Sequence, residues 1–200
     1  MILRNIPNLI TLLRILLVPP FLFVLQERNY SMALTLFFIA GVSDGLDGFL
    51  AKHYCWTSRL GSILDPLADK LLLVGAFIFL TRIGLIPFWL TVIVLGRDVF
   101  IVMGAIIYHF WIGHYDFAPV MLSKINTFVQ IILVLTVIIF AEIGTVYFEN
   151  LIVNLLIYLT LATTILSGMH YAMLWSRRAI ISRQTMSISN SIQRAGKNEL

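Results

Sequence analysis

Six apolar stretches dominate this chain, each close to the length that crosses a lipid bilayer. They run over Leu9–Leu25, Met32–Leu50, Leu60–Leu80, Pro87–Trp111, Ile125–Phe140 and Leu151–Trp175. A membrane helix needs about 20 mostly apolar residues. No water is present in the hydrocarbon core, so each segment must satisfy its own backbone, and a helix does so. The connections are short, which favours one compact bundle. The expected fold is therefore an all-α membrane protein, a six-transmembrane-helix bundle. Composition agrees: 60% of residues are hydrophobic and 12% charged, where soluble chains average about 25% charged. That excludes a water-soluble enzyme, a disordered chain and a collagen-like repeat.

The bundle is expected to occupy residues 1–175, followed by a polar, partly flexible cytosolic tail over 176–200. No internal repeat or low-complexity tract is present. Arg4 followed by an apolar run has the look of a secretory leader. Pro19-Pro20 interrupts that run, however, and no small-residue cleavage site follows. It is read as the first span, with the residues before Pro7 as a short interfacial segment.

Basic residues near span ends set the orientation. With six spans, one side carries Arg4, Lys52, Arg59, Lys124, Arg177, Arg178, Arg183, Arg194 and Lys197, while the other carries Arg28 and Arg82. Nine against two predicts that both termini are cytosolic, as in a multi-pass protein of a bacterial inner or plasma membrane. The net charge of +4 is too thinly spread for nucleic acid, which needs a basic stripe. It suits anionic headgroups. The lone cysteine, Cys55, cannot form an intrachain disulfide and is read as a loop bystander.

Charge inside the spans demands explanation. One Asp or Lys at a helix centre costs about 2.5–3.5 kcal/mol on insertion scales. Yet the second and third spans hold Asp44, Asp47, Asp65, Asp69 and Lys70. Such residues mark a functional cavity by default. Asp44 and Asp47 are i,i+3, and Asp65 and Asp69 are i,i+4, so each pair shares a helix face. The loop around His53–Arg59 lets the two helices run antiparallel, so all four carboxylates can converge near the cytosolic surface. Two carboxylates about 4 Å apart repel by about 4 kcal/mol at an effective dielectric of 20. Proton uptake or a cation relieves this. An all-oxygen cluster suits Mg²⁺ or Mn²⁺. Gly45, Gly48, Ala51 and Gly61 offer close backbone approach to a ligand, whereas Gly41 and Gly75 are read as ordinary helix packing.

Together these residues form Asp44-x2-Asp47-Gly48-x2-Ala51-Lys52-x8-Gly61-x3-Asp65-x3-Asp69. This resembles the signature of the CDP-alcohol phosphotransferase family, D-x2-D-G-x2-A-R-x8-G-x3-D-x3-D. Seven of the eight fixed positions match. The departure is Lys52 in place of Arg, which keeps the charge but loses the bidentate fork. The resemblance extends over most of the chain. Asn5–Arg14 and Asp65–Lys70 are similar to segments of both the phosphatidylglycerophosphate-forming and cardiolipin-forming members. Gly96–Val99 and Leu122–Gln130 look closer to the cardiolipin-forming type, and Ile165–Gly168 to the other.

The resemblance implies transfer of a phosphatidyl group from CDP-diacylglycerol to an alcohol, with release of CMP. It implies two divalent ions, Mg²⁺ or Mn²⁺, on Asp44, Asp47, Asp65 and Asp69, with Asp69 also the candidate general base. Asp44, Gly48, Ala51, Lys52 and Gly61 would line the nucleotide site. The acceptor is expected to be glycerol-3-phosphate, with phosphatidylglycerol as the alternative. Arg97, Lys124 and Arg14 are the candidate ligands for its phosphate. For Arg97, a pairing with Asp98 is disfavoured because adjacent helix residues point different ways. Lys124 equally suits a headgroup anchor, and Lys70 a counter-charge to the aspartates. A homodimer among membrane lipids is a further implication.

Other features read plainly. His109, His114 and His170 share no metal-ligand spacing, and Trp56, Trp89, Trp111 and Trp175 lie near span ends as an aromatic belt would place them. An aspartate-lined ion transporter also puts acids in spans, but transporters bind near mid-membrane and often show inverted repeats. A non-catalytic lipid-binding protein would not need four aspartates at fixed spacing.

Overall fold

A computed structural model describes residues 6–54, 61–112, 121–144 and 151–197, with side chains over 10–43, 67–104, 121–144 and 151–174. Among the described residues there are six α-helices and no strand. They are α1 (Ile6–Gln26), α2 (Tyr30–Tyr54), α3 (Gly61–Arg82), α4 (Phe88–Ile112), α5 (Met121–Glu142) and α6 (Leu151–Lys197). Each apolar run seeds one helix. Most helices overshoot their run, because polar residues at an end still close i→i−4 bonds.

Two elements depart from expectation. Helix α1 continues through Pro19 and Pro20, both exposed. Their missing N–H groups deprive the carbonyls of Ile15 and Leu16 of helical donors. Membrane helices tolerate this because neighbouring groups re-satisfy the freed carbonyls. Helix α6 continues for 47 residues to Lys197, so the backbone of the expected tail extends the last helix. No proline occurs in that segment and its one glycine is Gly196, so nothing in the sequence breaks the helix earlier.

Two helical segments, Met121–Glu142 and Leu151–Leu174, are long and apolar enough to cross a membrane. Leu16, Phe23, Phe38, Phe128 and Leu155 are all exposed. A soluble monomer rarely tolerates such continuous apolar surface. These are the features of a membrane protein.

Helix α1 packs against both α2 and α3; α5 pairs with α6, which also contacts α4. Helix α5 touches α2 and α3 as well. The core contains Phe21, Leu25, Phe37, Phe77, Leu80 and Leu133, each nearly or wholly inaccessible. Phe21 and Phe37 set their rings 5.6 Å apart, tilted by 46°. At Gly75 an added Cβ would lie 2.9 Å from a Leu22 methyl, so this glycine serves α1–α3 packing, as read from the sequence. Gly41 does not: nothing lies within 4 Å of a Cβ built there.

The connections position the helices. Gly84 takes φ +81°, with Leu85 N–H donating to Leu80 O and Gly84 N–H to Thr81 O. This pair of bonds is the Schellman helix end. The same pattern closes α1, from Asn29 N–H to Val24 O and from Arg28 N–H to Leu25 O. There the left-handed position is held by Arg28, at φ 60°. Asn29 then caps α2, its Oδ1 accepting from Met32 N–H at 3.2 Å.

Candidate active site

Asp69 is the motif aspartate whose side chain the structure describes. Arg14, fully buried on α1, donates from Nη1 to Asp69 Oδ1 at 2.7 Å. The Asp69 side chain is 44% exposed and borders a cleft between α2, α3 and α5. That cleft has a volume of about 270 Å³ and is lined by Phe37, Ala40, Gly41, Leu72, Phe128 and Ile131 among others. Asp69 thus sits between an interior cation and an apolar cleft, with Gly41 opening the wall contributed by α2. A second cavity of about 380 Å³ adjoins it across Thr127, Phe128 and Ile131, and is lined also by Ser123 and Lys124.

Lys70 follows Asp69, and consecutive helix residues point about 100° apart. Lys70 accordingly turns to α4, where its Nζ meets Asp98 Oδ2 at 2.9 Å. Asp98 also accepts from Arg97 Nη1 at 2.7 Å. The sequence-based expectation against this pairing is therefore corrected. Adjacent Cα–Cβ bonds do diverge, but a guanidinium on three methylenes is long enough to fold back to its neighbour. Arg97 Nη2 further donates to Ser123 Oγ at 2.8 Å and to Ser167 Oγ. The Tyr171 ring centroid lies 6.0 Å from its Cζ. The Arg97 side chain is 7% exposed, and its buried Nε has no partner among the described residues.

Arg97 thus gathers three segments distant in sequence: Gly96–Val99 on α4, Ser123 on α5, and Ser167-Gly168 on α6. A Cβ at Gly168 would lie 3.8 Å from Arg97 Cγ. Deeper between α5 and α6, Thr164 donates to Asn126 Oδ1 at 2.9 Å, and Thr163 Oγ1 approaches the same oxygen at 3.0 Å. Asn126 Nδ2, Gln130 Nε2 and Thr160 Oγ1 are buried without a partner among the described residues. A polar seam therefore leads from Arg97 into an otherwise apolar interface.

The remaining motif positions lie outside the described side chains. Asp44, Asp47, Gly48, Ala51 and Lys52 occupy the last part of α2, and Gly61 and Asp65 the first part of α3. Among the described residues no three His, Cys, Asp or Glu side chains gather as a metal site. The donor set is still chemically suited to a hard divalent ion, because every candidate is a carboxylate. Placement agrees. Asp44 is three residues beyond Gly41 on α2, and Gly41 and Asp69 border one cleft. Lys124 is exposed. Sequence reasoning missed Asp98 as a bridge and Ser123 and Ser167 as Arg97 ligands. Both serines fall within segments that carried the resemblance, so a signal was present.

A model of the CDP-alcohol phosphatidyltransferase family matches residues 4–166, more than half of the chain. The chain belongs to the CDP-alcohol phosphatidyltransferase family. The matched span includes the full aspartate motif together with Arg14, Arg97 and Lys124. The chain is similar to the CMP-forming cardiolipin synthase of Rattus norvegicus, 39% identical over 147 residues, covering 65% of this chain and 48% of that protein. It is also similar to the human enzyme of that name, 37% identical over 147 residues with the same coverage. The CDP-diacylglycerol–glycerol-3-phosphate 3-phosphatidyltransferase of Bacillus subtilis is 36% identical over 145 residues, 65% of this chain and 74% of that protein. The chain spans about half the length of the animal cardiolipin synthases it matches. Relatives in the CDP-alcohol phosphatidyltransferase family therefore differ in the acceptor their names imply.

Proposed function

We propose that this chain transfers the phosphatidyl group of CDP-diacylglycerol to glycerol-3-phosphate, giving phosphatidylglycerophosphate and CMP. The observation that carries the acceptor's charge class is Arg97, a buried guanidinium whose Nε is unpartnered among the described residues. An orphaned buried donor costs about 1–3 kcal/mol, and a phosphate oxygen satisfies it. Lys124 borders the adjoining cavity and supplies a second cation.

In this reading Asp69 takes the proton of the acceptor hydroxyl as its oxygen attacks the phosphatidyl phosphorus. A phosphorus–oxygen bond forms to the acceptor, the bond to CMP breaks, and CMP leaves. Asp44, Asp47, Asp65 and Asp69 would hold Mg²⁺ or Mn²⁺, as two ions. When bound, these neutralise charge on the pyrophosphate. Gly48, Ala51, Lys52 and Gly61 admit the nucleotide, and Arg97 aligns the acceptor. The cleft beside Asp69 is apolar and suits one acyl chain of the donor. The six helices are read as six spans with both termini cytosolic, and the reaction centre at the cytosolic face.

The second reading takes phosphatidylglycerol as acceptor and cardiolipin as product. The names of the rat and human relatives favour it. The two readings are separated by CMP release from purified protein with Mg²⁺, CDP-diacylglycerol and one acceptor at a time. Release with glycerol-3-phosphate supports the first, and release only with phosphatidylglycerol the second. Metal-independent release with either would overturn both.

A further inference from the structure

The Asp69 carboxylate is held by a residue outside the aspartate motif, and the hold has a direction. Arg14 projects from α1 across to α3, 55 positions away in sequence, and meets Oδ1 at 2.7 Å. The Arg14 side chain is 0% exposed, while that of Asp69 is 44% exposed and borders the cleft. The guanidinium is therefore on the interior side and the carboxylate faces outward. A planar guanidinium fixes the plane of the carboxylate it binds more tightly than an ammonium does.

A buried ion pair is weak evidence for stability, since well-packed apolar substitutes are often neutral or better. The charge on Arg14 is more readily explained by what it orients. We infer that Arg14 is a positioning residue for Asp69: from the interior side it fixes the plane of the carboxylate that is to meet a divalent ion and the acceptor hydroxyl. The inference rests on the proposed reading of Asp69. It assigns Arg14 to Asp69 rather than to the acceptor. It also makes α1 part of the reaction centre.

The test uses the full chain in lipid nanodiscs, as wild type, Arg14→Met and Arg14→Lys. Mn²⁺ binding is read by electron paramagnetic resonance without substrate, and CMP release is measured against Mn²⁺ and against each acceptor. Loss of a group that orients a metal ligand typically costs about 10–100-fold in metal affinity or activity. Arg14→Met is expected to weaken Mn²⁺ binding and lower kcat in that range, with acceptor KM unchanged. Arg14→Lys keeps the charge and is expected to recover part of both. If Arg14→Met does not insert, Arg14→Lys carries the test, with a smaller loss in the same two quantities.

A raised acceptor KM with unchanged Mn²⁺ binding would overturn the inference in favour of an acceptor ligand. So would a variant that melts earlier but binds Mn²⁺ and turns over normally while folded. Absence of CMP release by the wild type would instead sink the reading of the reaction, so the two failures are distinct.

Discussion

One planar fork at Arg97 serves Asp98, Ser123 and Ser167 together. A lysine has a single ammonium and cannot span those partners. Arg97→Lys is expected to raise acceptor KM by about tenfold, equivalent to about 1.4 kcal/mol, with donor KM unchanged; CMP release against each substrate measures it. Gly41 makes the opposite kind of prediction, because it has open space where a side chain would go. Gly41→Phe fills the cleft beside Asp69. It is expected to lower turnover of long-chain CDP-diacylglycerol severalfold while sparing a short-chain donor; equal rates on both would remove the acyl-chain reading of that cleft. Residue types in the site were legible, since intramembrane charge singles out Asp69, Lys70 and Arg97. Their partners were not. Whether Arg97 reaches Asp98, or Arg14 reaches Asp69, depends on helix rotation and on which helices touch, and these are set by packing across tens of residues. Gly41 shows the same limit, since a small residue reads alike whether a neighbour or a cavity faces it.

At the level of elements, length and apolarity located all six helices, because a run that must bury its own backbone has one local solution. Ends were harder. Polar residues extend α6 well past its apolar run, and two prolines fail to end α1. The α1–α2 connection carries a local cost that sequence pattern does not reveal. Arg28 occupies the left-handed position of a Schellman end, where a non-glycine residue pays about 1–2 kcal/mol. The equivalent position after α3 is Gly84. Arg28→Gly is therefore expected to stabilise the fold by about 1 kcal/mol, read as a higher melting temperature in detergent. The cation at this turn is one of two on its proposed side, so the substitution does not weaken the charge bias that orients the chain.

At the level of the whole molecule, the proposed site requires that the loop between α2 and α3 face the cytosol and that α1 and α2 each cross the bilayer. Among the described residues, Met121–Glu142 and Leu151–Leu174 are long and apolar enough to cross a membrane, while Ile10–Gln26 and Tyr30–Ser43 are shorter apolar segments of α1 and α2. The bias of basic residues predicts that 51–59 lies with the termini and that the turn at 27–29 lies opposite. The chain contains one cysteine, Cys55, which lies outside the described residues and inside that loop. A membrane-impermeant maleimide is expected to label Cys55 in inverted vesicles and to spare it in intact cells. Glu27, exposed at the α1–α2 turn, supplies the reciprocal site: Glu27→Cys in a Cys55→Ser background should label in intact cells. Opposite faces for the two positions require that α2 traverse the membrane between them. Labelling of both from one face would place α2 on the surface, and the Asp44 and Asp47 positions with it. The carboxylates would then be solvated at modest cost rather than held in a span, and their charge would no longer imply a functional cavity.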